Sequence, residues 1–199
     1  MRVKTTVTGT SPYVMKNPRG ADPDNEIVRA IKKIVDKGAK MTDDDRAAKS
    51  RLQFACCLYI DDNGPYVPAA NFRRCLIQAA RIRRLGTAVE RAVIPYSEKI
   101  ALIYDGPRDA DGLWVCEQPQ FRYSTMVNAN PSQGKKKSMV PSMRPRFLKW
   151  GFEAEWELVT TAMNFDDFRS VVEAAGLVEG LGDNRVNGLG RFVAKVEAA

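Results

Sequence analysis

Residues 147–161, FLKWGFEAEWELVTT, alternate apolar and polar side chains, with Phe152, Ala154, Trp156 and Leu158 on one face. A period of two with one apolar face specifies a half-buried strand, whose apolar side must be covered by another layer. The chain opens the same way: RVKTTVTG alternates through Val3, Thr5 and Val7 and reads as a first strand. After the 147–161 strand, NFDDFRSVVEAAG reads as a helix capped at Asn164 or Asp166 and stopped by Gly176. A glycine-rich loop and a last strand, RFVAKV, follow.

The middle of the chain adds further elements. Ile27, Ile31, Ile34 and Val35 fall at helical spacing after a cap at Asp24 or Asn25, with Gly38 as the stop. TDDDRAAKSR predicts a second, short helix capped by Thr42. The apolar run Leu52–Ile60, the turn DDNG and the segment PYVP together predict a hairpin. AANFRRCLIQAARIRRLG predicts a helix that starts at Ala70 or Asn71 and ends at Gly86, with Phe72, Leu76, Ala79, Ala80 and Ile82 as its apolar stripe. Residues 98–128 read as a strand, a loop and one or two further strands, and 128–147 as a protruding basic loop or loose hairpin. These elements predict an α+β chain with an antiparallel sheet and helices on one face. The commonest such plan is the ferredoxin-like split βαβ, here a single domain over 1–199 with inserted loops.

Charge is unevenly placed. Between Asp62 and Glu90 there are five arginines and no acid, and between Glu117 and Glu153 seven basic residues and no acid. Those segments carry +12 against a net +7, which leaves −5 for the remainder. Segregated positive charge is the electrostatic footprint of a polyanion partner. The chain has no histidine, which excludes Ser–His–Asp and Cys–His nucleophiles and histidine metal ligands. Cys56, Cys57, Cys75 and Cys116 form no CxxC and sit in apolar surroundings, so core roles are expected. No apolar stretch reaches the ~20 residues of a membrane span, so a cytoplasmic protein without a membrane partner is expected.

Five of the fourteen glycines lie between Gly176 and Gly190. The order helix, loop, strand is the reverse of a dinucleotide fingerprint, and no GK[ST] is present. Two readings remain open. Gly180, Gly182, Gly188 and Gly190 shape a backbone that offers N–H groups to an anion beside Asn184, Arg185 and Arg191, or the loop only turns the chain into its last strand.

GPYVPAANFRRCLIQAAR resembles a motif of the RAMP superfamily, which includes CRISPR effector backbone subunits. In that family an apolar strand ending near a proline leads into a helix with a polar start and basic residues. The counterparts here are Val67, Pro68, Ala70, Asn71, Arg73, Arg74 and Arg81. GLGDNRVNGLGRF resembles the glycine-rich loop that closes the same family, and phage-encoded proteins of this size have a similar look. The helix lacks the Gly/Ser-Ser-Leu-Lys-Gly start of many members. The resemblance implies a ferredoxin-like, RRM-like core and a non-catalytic protein that binds single-stranded RNA or DNA. It also implies homo-oligomers in a filament along the strand and requires no cofactor or metal. The implied contacts are Asn71, Arg73, Arg74, Arg81, Arg84, Arg122, Lys135, Lys136, Lys137, Arg144, Arg146, Asn184, Arg185 and Arg191. Phe121, Tyr123, Phe147 and Trp150 lie among basic residues and either stack on bases or pack in the core, with the core favoured for Phe147 and Trp150. The alternatives are a metal-dependent nuclease using Asp61, Asp62 or Asp105, and a protein-binding module that mimics a CRISPR subunit.

Overall fold

The structure is a computed structural model that describes residues 1–116, 119–128 and 139–199. Its central sheet has four strands in the order β10–β1–β9–β5, formed by β1 (Arg2–Gly9), β5 (Val93–Pro95), β9 (Gly151–Leu158) and β10 (Phe192–Ala198). Every neighbouring pair is antiparallel, with β1 in register against β9 at Thr5↔Ala154 and against β10 at Thr5↔Val196. β1 and β5 therefore run parallel across β9. The path from β1 to β5 contains α3 (Ala69–Arg81), and that from β9 to β10 contains α6 (Phe165–Val178). This is the split βαβ arrangement that the strand and helix order predicts.

Both helices cover the same face. The ring of Phe72 on α3 meets Phe152, Trp156 and Phe192 at centroid separations of 5.0, 5.6 and 5.9 Å. Phe168, Val171 and Val172 of α6 are buried with them. Thr5, the polar residue on the inward side of β1, is satisfied: its hydroxyl donates to the Ala154 carbonyl and accepts the Trp156 indole N–H at 3.1 Å.

The remaining elements are insertions. Between β1 and α3 lie β2 (Tyr13–Val14), α1 (Glu26–Val35), α2 (Asp43–Cys57), β3 (Ile60–Asp61) and β4 (Gly64–Pro68). After α3 come α4 (Gly86–Ala92), β6 (Lys99–Ala101), α5 (Ala110–Val115), β7 (Arg122–Asn128) and β8 (Met139–Phe147). β2–β8–β7 and β3–β4–β6 are small separate sheets. Among the described residues, no helix is long and apolar enough to cross a membrane.

Four local readings need correction. Residues 52–57, read as a strand, are the second half of α2. Thr42 and Asp45 form a reciprocal capping box, three aspartates occupy the first turn, and the run LQFACCLY holds no β-branched residue to favour a strand. Gly86 does not end α3 but begins α4, the chain turning between them at Arg84, which has φ 61°. A helix, α5, occupies 110–115, capped by the Asp109 side chain. Gly176 lies inside α6; a Cβ there would overlap the Phe192 carbonyl oxygen, so the glycine serves the approach of α6 to β10.

Residues 122–128 and 139–145 form a regular ladder from Arg122↔Pro145 to Asn128↔Met139. Pro141 and Pro145 lie four residues apart and share the side of β8 that faces away from β7. There the Pro145 carbonyl accepts the Met15 N–H at 3.0 Å. The missing proline N–H groups thus interrupt no bond to β7.

Candidate nucleic-acid interface

The start of α3 and the glycine loop, far apart in sequence, meet at one cleft of about 300 Å³. Asn71, Arg74 and Cys75 line one wall, and Gly180–Asp183 with Arg185 the other; Tyr13, Lys16, Pro18 and Tyr59 complete it. The Cys75 thiol donates to the Gly180 carbonyl at 3.1 Å and joins the walls. Its burial pushes that thiol up to about 12.

The loop itself is held from within. Gly180, Gly182, Gly188 and Gly190 have φ between +72° and +86°, a region costly for other residues. Most of the N–H groups along the loop are bonded inside the protein. Gly180 N–H bonds Ala175, Leu181 N–H bonds Gly190, Asp183 N–H bonds Val14, Gly188 N–H bonds Arg185 and Gly190 N–H bonds Pro12, all at 2.8–3.0 Å. Gly182 is packed so closely that a Cβ would meet the Val14 carbonyl and the Tyr13 ring. The glycines let the loop lie on β2 and on the start of β10.

The basic residues divide into employed and free. Arg73 donates from Nε to the Val93 carbonyl at 2.8 Å and from Nη2 to the Glu90 carbonyl. Arg144 is only 7% exposed and pairs with Asp183. Arg185 pairs with Glu179, and Arg191 donates to the Arg185 carbonyl. Arg81 donates to the Gln78 side chain at 3.0 Å. The Arg146 guanidinium lies 5.5 Å from the Tyr123 ring centre, and that of Arg122 lies 5.4 Å from Trp114. Asn184 donates to the Tyr123 hydroxyl, and Asn71 to the Tyr59 hydroxyl. Arg74 and Arg84 are exposed, and their guanidinium groups have no partner among the described residues. Lys135, Lys136 and Lys137 lie outside the described residues.

Lys16, which no sequence pattern marks, is exposed at the cleft, its ammonium likewise unpartnered among the described residues. It stands after β2 in an unremarkable YVMKN, and only the fold brings it opposite Arg74. Of the two readings of the aromatics, core packing holds for three: Phe121, Phe147 and Trp150 are 3%, 0% and 5% exposed. Phe147 and Phe121 pack on Tyr104, while the Trp150 indole bonds the Ser11 carbonyl at 2.8 Å.

A second, larger groove of about 840 Å³ runs along the other flank of α3. Arg73, Arg74, Arg81, Lys99 and Tyr66 stand on it, over a floor that includes Ile77 and Val93, with Glu90 and Glu98 also present. Arg74 thus borders both depressions. The uncovered face of the central sheet is different in kind. Lys4 pairs with Glu153, Arg2 with Glu155 and Lys195 with Glu197, so its charges are matched within the chain.

The aspartates do not assemble. Asp61 accepts from Lys99 at 2.8 Å and from the Asn63 N–H at 3.0 Å, and the Lys99 hydrogen bond holds its carboxyl below the usual range. That is the local bonding of a turn aspartate. Among the described residues, no three Cys, Asp or Glu side chains gather into a metal-binding group.

No protein-family model matches the chain, and no curated protein is similar to it in sequence. Several solved structures are similar, among them the following two. One is a chain in the cryo-EM structure of the type III-B Cmr-beta bound to cognate target RNA, with TM-score 0.46 and 14% identity over 98% of this chain. This protein spans 59% of that chain's length. The other is Cmr6 from Pyrococcus furiosus, with TM-score 0.41 and 12% identity over 98% of both chains.

Proposed function

We propose that this protein binds single-stranded nucleic acid, RNA or DNA, without cleaving it, and that the strand enters the cleft between α3 and the glycine loop. The observation that carries this reading is that the start of α3, the glycine loop and the segment after β2 line one cleft, to which Arg74 and Lys16 bring cations without a partner among the described residues, together with Tyr59. Cations without an internal partner are the ones available to displace counterions from phosphates. A neighbouring tyrosine supplies a face on which a base stacks. A depression of about 300 Å³ suits an unpaired base and excludes a duplex. From Arg74 the strand continues along the second groove past Arg81. Further copies following one another on the same strand complete the proposal.

Fluorescence polarisation with single- and double-stranded oligomers across a salt series tests it. The expected result is preference for single strands, with affinity falling steeply with salt. Arg74→Ala and Lys16→Ala should each weaken binding about tenfold and lower the logarithmic salt slope by about 0.7. Unchanged affinity in both variants, or equal affinity for duplex, rejects the cleft as the site. Loss of full-length oligomer on incubation with Mg²⁺ or Mn²⁺ would replace the reading by a nuclease.

A further inference from the structure

The two edges of the central sheet are treated differently. At the β5 edge, Pro95 has no N–H, the Val93 carbonyl is taken by Arg73, and the Val93 N–H is bonded to Val89. That edge offers no ladder to another strand. At the β10 edge, Thr10 N–H bonds the Arg191 carbonyl at 2.8 Å and Ala199 N–H bonds the Arg2 carbonyl at 3.1 Å, which fixes the phase of the pairing with β1. The odd-numbered residues of β10 face β1 with their main chain. Ala194, Val196 and Ala198 therefore turn their N–H and C=O groups outward, and those groups have no partner among the described residues. Only the Phe192 end is closed, where α6 lies against its carbonyl at Gly176.

The outer face of this edge strand carries Val193, Lys195 and Glu197, all exposed. Lys195 and Glu197 form an ion pair of 2.6 Å within the strand. The pattern is its own complement. We infer that β10 pairs antiparallel with β10 of a second copy about a two-fold axis through Val196, joining the two sheets into one of eight strands. In that register Ala194 meets Ala198 and Val196 meets itself, so each outward main-chain group finds a partner. Lys195 stands opposite Glu197 of the second copy, twice over, and Val193 stands opposite Ala199. An axis through Ala194 would need the main chain of Phe192, which α6 covers. An axis between residues would oppose outward groups to inward ones and make no ladder. The contact is isologous, so it closes at two copies.

Sedimentation velocity without nucleic acid tests the pairing independently of strand binding. The expected wild-type behaviour is a concentration-dependent equilibrium of monomer and dimer. Lys195→Glu sets like charges opposite each other at both pairs and should weaken the dimer about tenfold, as should Glu197→Lys. The double variant K195E/E197K should return to within about twofold of the wild type. Both side chains are exposed, so the fold is not at risk. A monomer at every soluble concentration overturns the inference. So do single variants that dimerise like the wild type, or species that keep growing beyond two copies.

Discussion

Arg73 and Arg74 are neighbours in the sequence with opposite duties. Arg73 ties α3 to the end of α4 and the start of β5 through two carbonyls, whereas Arg74, without a partner among the described residues, borders two depressions. Removing Arg73 orphans hydrogen bonds made by a charged donor. Arg73→Ala should cost about 2 kcal/mol in urea unfolding, while Arg74→Ala should stay within about 0.5 kcal/mol of the wild type. Binding should show the reverse ranking. No sequence argument separates the two, because spacing places both near the first turns of the helix and only the tertiary partners differ. The same holds for Arg144, counted in the sequence as a surface cation. It is buried against Asp183, because β8 passes under the loop.

At the scale of elements, the sequence was most legible where alternation or capping was complete. β1, β9, α1 and α6 lie close to their expected positions, because period and cap agree in each. α2 was half legible: its cap was visible, but the apolar run behind it suggested a strand. Composition would have decided the matter, since Leu, Gln, Ala and Cys carry no β-branch and the acidic first turn suits a helix N-terminus. Thr42→Ala removes one arm of the box and should lower stability by about 1 kcal/mol, read as a shift of the urea midpoint with unchanged slope. β8 was obscured by its prolines, which signal turns until one knows on which side of the strand they fall. The candidate site was legible as two segments but not as one place; the cleft depends on the 105-residue separation between Cys75 and Gly180 being closed by the fold.

For the whole molecule, weak acids shielded wholly or partly by the fold set the alkaline limit. Burial pushes the Cys57 thiol up to about 11 and Cys75 to about 12 from an ordinary 9, and burial also raises Tyr104 to about 12. Unfolding frees these groups to ionise at their ordinary values. Their contribution is therefore intact below about pH 9 and declines as pH rises toward 11–12, by up to about 1.4 kcal/mol per pH unit for the buried Cys75 thiol. Urea midpoints should fall across that window, and Cys75→Ala should flatten the slope. The paired charges on the open sheet face are exposed and exchange little with solvent ions on unfolding, so salt should alter strand binding far more than folding. Arg74 adds a constraint of another sort. One guanidinium standing on the ridge between two depressions cannot neutralise a separate anion in each. Two short ligands would compete across the ridge and bind anti-cooperatively, whereas one ligand long enough to cross it would use the same charge only once.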